Sequence, residues 1–72
     1  MKETSFGERL RLLRKQQGST QKEIGKLLNV HRTTYACYEK GETEPSITGL
    51  IKLADYFGVS VDYLVCHTDD FQ

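Results

Sequence analysis

The chain has no tryptophan, one proline (Pro45) and two cysteines, and none of its apolar runs is long. Each shortage excludes something. A bilayer helix needs about 20 consecutive apolar residues, so no membrane span is expected. The start, Met1 to Ser5, lacks the apolar stretch of a secretory signal. The expected location is therefore the reducing cytoplasm, where Cys37 and Cys66 stay thiols. Neither belongs to a CxxC pair, and Cys66-His67 alone offers too few ligands for zinc, so no metal is expected. No Ser/His/Asp or Cys/His grouping has catalytic spacing, and no glycine-rich phosphate loop is present. The expectation is a protein with no catalytic residues and no cofactor, not an enzyme. Repeats, linkers, low-complexity segments and the period-2 alternation of a strand are also missing.

A length of 72 residues allows one domain. A domain of this size buries only about 60% of its unfolded surface, so dimerisation is a natural supplement. The formal net charge of zero conceals a division. Residues 1–40 hold nine Lys/Arg against four acids, and residues 41–72 hold one Lys against six acids. One half is suited to phosphates and the other to water or a partner. Chance gives the same split in a short chain, so it decides nothing alone.

Apolar spacing and capping residues predict five helices and no strand, an all-α fold. Phe6, Leu10 and Leu13 make one stripe of a first helix, with Ser5 and Glu8 as a capping box and Gly18 as its stop. Thr20 and Glu23 form a second capping box, and the short helix behind them is expected to bury Ile24, Leu27 and Leu28. Asn29 is placed to take the left-handed turn. A third helix spans about 32–40 and ends at Gly41. Ser46 caps a fourth, with Ile47, Leu50, Leu53, Ala54 and Phe57 as its apolar face, and Ser60 caps a short fifth carrying Val61 and Leu64. The domain is expected over residues 1–67, followed by a polar, frayed tail at 68–72.

The informative stretch is 20–41, TQKEIGKLLNVHRTTYACYEKG. The turn between its two short helices is too brief for them to lie antiparallel, so they cross steeply. Gly25 is small enough to let the backbones approach, although Gly in a helix interior costs about 1 kcal/mol relative to Ala. Val30 fills the space under the turn, and Tyr35 and Tyr38 face inward. The opposite face of the third helix carries Arg32, Thr33, Ala36, Cys37 and Lys40, which are small or polar, with cations and no acid. A plain solvated face is the bland explanation, but such a face ordinarily includes Glu and Gln. A small, unobstructed, basic helix face is what a major groove accepts.

The segment 20–41 resembles the Cro/phage-repressor (XRE) helix-turn-helix family. The likeness continues through Pro45-Ser46, residues 53–60 and residues 61–64, covering roughly residues 5 to 65. It implies a five-helix lambda-repressor-like domain with a helix-turn-helix, binding double-stranded DNA as a sequence-specific regulator of transcription. By the same resemblance, His31, Arg32, Thr33, Ala36 and Cys37 stand where related repressors read base edges. Arg32 suits guanine O6 and N7, and Thr33 suits either a thymine methyl or a phosphate. Gln21, Lys40 and Thr43 stand where the family meets phosphates. Arg14 and Glu39 match a paired Arg and Glu that tie the first helix to the end of the third, a structural ion pair. A homodimer on a near-palindromic operator is implied, with Val61, Leu64 and Val65 as contacts that are equally ordinary core positions.

The chain departs from the family at Asn29, where Gly is usual, at Ser19, where Leu is, and at Gly25, where Ala is. These changes are expected to soften the domain. His31 replaces the usual Ser or Thr cap of the reading helix, which leaves that cap open and frees His31 to reach DNA. The same fold also serves as an antitoxin or a protein-interaction module. For that alternative Tyr56, Tyr63 and Val65 are the candidate contacts with a protein partner.

Overall fold

The structure, a computed structural model, describes residues 5–67. The expected tail at 68–72 lies outside them. The five helices are α1 (Phe6–Gln17), α2 (Gln21–Leu28), α3 (Arg32–Lys40), α4 (Ile47–Phe57) and α5 (Val61–Leu64), and no strand occurs among the described residues.

Each helix starts where a side chain can receive its first free amide. Ser5 and Thr20 complete capping boxes with Glu8 and Glu23, and Ser46 and Ser60 accept from the amides of Gly49 and Tyr63. α2 ends on Asn29 at φ 58°, a left-handed conformation that a non-glycine residue holds most cheaply when it is Asn. That turn sets the direction of α3, which packs chiefly on α2 and α1.

The core gathers one or two residues from every helix: Leu10 and Leu13, Ile24, Tyr35 and Tyr38, Leu53 and Ala54, and Leu64. Tyr35 and Tyr38 both point inward, edge to face with ring centroids 6.1 Å apart. Val30 is half-buried against this cluster beneath the turn. The approach at Gly25 is close: a Cβ there would lie 3.1 Å from the Val30 carbonyl oxygen. A tighter approach joins α1 to α3. A Cβ on Gly7 would come within 2.3 Å of the Glu39 carbonyl oxygen, so this glycine sets how near the two helices lie.

Two apolar expectations fail. Leu27 is 37% exposed, because the eight-residue α2 offers the core one narrow face and Leu27 lies at its edge. Ile47 is 77% exposed: it opens α4 and overhangs the core by a turn. Ile51, four residues on, is exposed beside it, so α4 carries a second apolar strip.

Candidate nucleic-acid interface

α3 is held by a polar cluster that joins three helices. Arg14 Nε lies 2.6 Å from Glu39 Oε2, and Arg14 Nη2 donates to Oε1 at 3.2 Å, a two-pronged pair. Arg14 Nη1 also donates to the Ser19 carbonyl at 3.1 Å, so the pair spans the α1–α2 junction. Gln21, the first residue of α2, donates through Nε2 to Glu39 Oε1 at 3.1 Å. Burial alone would push the Glu39 carboxyl up. The donors around it, Arg14 foremost, outweigh burial and hold it below its ordinary value. Arg14 is raised chiefly by its hydrogen bond to Glu39. The Tyr35 hydroxyl is buried beside these two groups without reaching hydrogen-bond geometry with either, and burial drives its acidity far down.

The outward face of α3 is open. Arg32, Thr33 and Lys40 are exposed, and Ala36 and Cys37 are half-buried with their outer surfaces clear. The Glu42 carboxylate beside the Cys37 thiol, followed by burial, pushes that thiol up and keeps it neutral. Thr43 is exposed in the loop after α3. Behind the turn, Lys22, Lys26, Asn29, Val30 and His31 line an open concavity. The two lysines there extend the basic surface of α3 onto α2. Their charge is visible in the sequence, but not that α2 turns them toward His31.

His31 resolves the question its sequence position left open: it caps α3. Its Nδ1 accepts from the Thr33 amide at 3.2 Å and lies 2.9 Å from Thr33 Oγ1. Imidazole is a rare cap, yet an unprotonated ring nitrogen accepts as a serine oxygen does.

Two other contacts were missed by sequence reasoning. Arg9 is 8% exposed, donates to the Tyr63 carbonyl at 2.7 Å and lies 4.2 Å from the centre of the Tyr63 ring, locking α1 to α5. Ser19, expected to soften the domain, hydrogen-bonds the Tyr56 hydroxyl at 2.6 Å. Tyr56 and Tyr63 are thus internal fasteners rather than freely exposed groups. Leu64 is wholly buried and has no surface for a partner, so of the three residues suggested for a dimer contact only Val61 and Val65 reach solvent. Leu64 belongs inside because α5 is one turn long and needs that side chain to hold it to the core.

A helix-turn-helix family model matches residues 10–64. A prophage-derived, uncharacterised HTH-type transcriptional regulator of Bacillus subtilis, YonR, is 40% identical over 60 residues, which cover 83% of this chain and 56% of that protein. The chain spans about half the length of the first curated relatives it matches. Among solved structures, a transcriptional regulator from Listeria innocua superposes with a TM-score of 0.85 at 43% identity, covering 94% of this chain and 64% of that one. The P22 c2 repressor in complex with a synthetic operator superposes with a TM-score of 0.80 at 34% identity, covering 86% of this chain and 94% of that one. From the matched core, the α2–turn–α3 unit and these likenesses in sequence and structure, the chain belongs to the XRE-type helix-turn-helix family.

Proposed function

We propose that this chain is a sequence-specific DNA-binding regulator of transcription, acting as a repressor, which reads the major groove with α3. One observation carries the proposal. The outward face of α3 is basic, small and free of acid, and it is braced from behind by the Arg14–Glu39–Gln21 cluster. A face held at a fixed angle and left unused by the core is what base recognition requires. Arg32 is the principal base reader, with His31, Thr33, Ala36 and Cys37 around it. Lys40 and Thr43 meet phosphates, and Gln21 keeps one amide hydrogen for a phosphate while the other goes to Glu39. A regulator of this kind needs no catalytic group and works in the aqueous cytoplasm. Among the described residues no helix is long and apolar enough to cross a membrane. The relatives named as transcriptional regulators, and the repressor–operator complex among the structural neighbours, support the same reading.

In the working form two protomers pair, and their α3 helices enter successive major grooves about 34 Å apart on a near-palindrome. Val61 and Val65 are surface contacts for that pairing.

Selection of sites from a random DNA pool, followed by titration of the enriched site at two salt concentrations, tests the proposal. A near-palindrome is expected, with log K falling by about 0.9 per log unit of salt for each phosphate contacted. Failure of the folded protein to enrich any site would refute it and favour the protein-interaction alternative.

A further inference from the structure

We infer that His31 is a positioning residue for operator recognition: its unprotonated ring holds the first turn of α3 in reading shape, so that acidification through the histidine range weakens DNA binding. The inference rests on the DNA-binding proposal above. Among the five described helices, α1, α2, α4 and α5 start on the hydroxyls of Ser5, Thr20, Ser46 and Ser60, which do not titrate. α3 alone starts on a group that does. The Thr33 amide donates to His31 Nδ1 at 3.2 Å. An amide N–H can only donate, so the bond exists only while Nδ1 carries a lone pair. Protonation puts an N–H there instead. Thr33 Oγ1, 2.9 Å from the same nitrogen, can turn to accept from it, but the amide is left without its acceptor.

The surroundings offer no substitute for the lost cap. α1 and α2 carry Glu8 and Glu23 in their first turns, and α3 has no acid in its own. The charged groups around the ring are cationic: Lys22 and Lys26 of α2 line the same concavity, and Arg32 is the next residue on α3. No carboxylate lines that concavity. A charged imidazole would add positive charge at the positive end of the helix dipole. The backbone bond from the Tyr35 amide to the His31 carbonyl, 3.0 Å, does not involve the ring, so the helix stays and only its first turn frays. That turn carries Arg32 and Thr33, and the fraction of protein with the turn formed scales the apparent affinity. A histidine that acted only as a phosphate contact would do the opposite, binding tighter in acid as it gained charge. The sign of the pH dependence separates the two roles.

The test measures affinity for the enriched site at pH 8 and pH 5.5, at one salt concentration, for the wild type, His31→Ser and His31→Asn. Both replacements offer a capping oxygen that does not titrate, and His31 is exposed, so both are expected to fold; circular dichroism at each pH checks this. His67 stays in all three proteins and controls for the second histidine. Only the ratio of affinities between the two pH values is read. The wild type is expected to bind about fivefold more weakly at pH 5.5, the scale of one helix cap, and each variant to change by less than about twofold. In the free wild-type protein, labelled with nitrogen-15, the Thr33 amide resonance is expected to move with pH in step with the His31 ring protons. These wild-type readouts decide the matter even if a variant unfolds. Three results overturn the inference while leaving the regulator intact: a wild-type affinity that changes by less than about twofold or rises in acid, an acid loss that persists in the folded variants, or a Thr33 amide indifferent to the His31 titration. Failure of the folded protein to enrich any site overturns both.

Discussion

Gly7→Ala separates two accounts of why a glycine sits inside α1. Intrinsic propensity favours alanine, by up to about 1 kcal/mol in a helix interior and by less at Gly7 in the first turn. The geometry says the reverse. The new Cβ would stand 2.3 Å from the Glu39 carbonyl oxygen, and 2.9 Å from both the Glu39 carbonyl carbon and the Tyr38 carbonyl oxygen. All three are backbone atoms of α3, so no side chain can swing aside, and the helices must separate by about an ångström. Overpacking of this kind costs about 1–3 kcal/mol, and here it falls at the upper end because the obstacle is main chain. After the propensity gain, a net loss of about 1–2 kcal/mol is expected. For a domain of this size that lowers Tm by roughly 5–15 °C. The control is Gly25→Ala, whose Cβ would meet the Val30 carbonyl oxygen at 3.1 Å, a contact relieved by a shift of a few tenths of an ångström. Propensity and crowding nearly cancel there, and its Tm should stay within a few degrees of wild type. The separation at Gly7 also moves the end of α3, where Glu39 meets Arg14, so Gly7→Ala should weaken DNA binding more than its loss of stability explains. The two Tm values come from thermal melts followed at 222 nm. A Gly7→Ala protein that melts higher than wild type, or level with Gly25→Ala, would refute the close approach.

Further outcomes follow from the polar side chains. Arg14→Ala leaves the Glu39 carboxylate, 4% exposed, without its charge partner; a loss of about 3 kcal/mol is expected, at the low end for buried pairs because Arg14 itself keeps 12% exposure. Because folding lowers the Glu39 pKa, its contribution is full above the unfolded value of about 4.3 and fades as pH falls below that. Denaturant melts at pH 7 and pH 3 should therefore differ by less in Arg14→Ala than in wild type, and an equal difference would remove Glu39 as the acid-sensitive group. Tyr56→Phe strands the Ser19 hydroxyl, 2.6 Å from its present partner, and should cost about 1–2 kcal/mol in chemical denaturation, whereas a surface tyrosine would cost nothing measurable. In binding titrations against the selected site and single-base variants of it, Arg32→Ala should lose about 1–3 kcal/mol and relax the preference at one base pair. Lys40→Ala should weaken every sequence evenly and lower the salt slope by about one; a uniform loss for Arg32→Ala would make it a phosphate contact.

What the sequence could disclose divides by range and by proton. Helix limits are legible because they are written locally: Ser5 and Glu8, or Thr20 and Glu23, announce a start within four residues, and Asn29 or Gly41 a stop. The outward face of α3 is legible for the same reason, since Tyr35 and Tyr38 fix the inward side and leave the opposite residues clear. Contacts between distant segments are not. Arg9 meets Tyr63 across 54 positions and Ser19 meets Tyr56 across 37, and no spacing rule joins a buried arginine to one particular tyrosine. Gly7 reads locally as a weak point of α1, and only the approach of α3 turns it into a requirement. Leu27 and Ile47 mislead because apolar spacing marks a helix face without saying how far the core extends beneath it. The direction of a hydrogen bond is the hardest to foresee. From letters alone the cap of α3 stays open, with His31 where Ser or Thr is usual. The 3.2 Å amide contact at Nδ1 closes it: His31 caps α3, and the same nitrogen lies 2.9 Å from Thr33 Oγ1. Residue type therefore locates the outward face of α3, while the hydrogen bonds made within the protein decide which of its polar groups stay free.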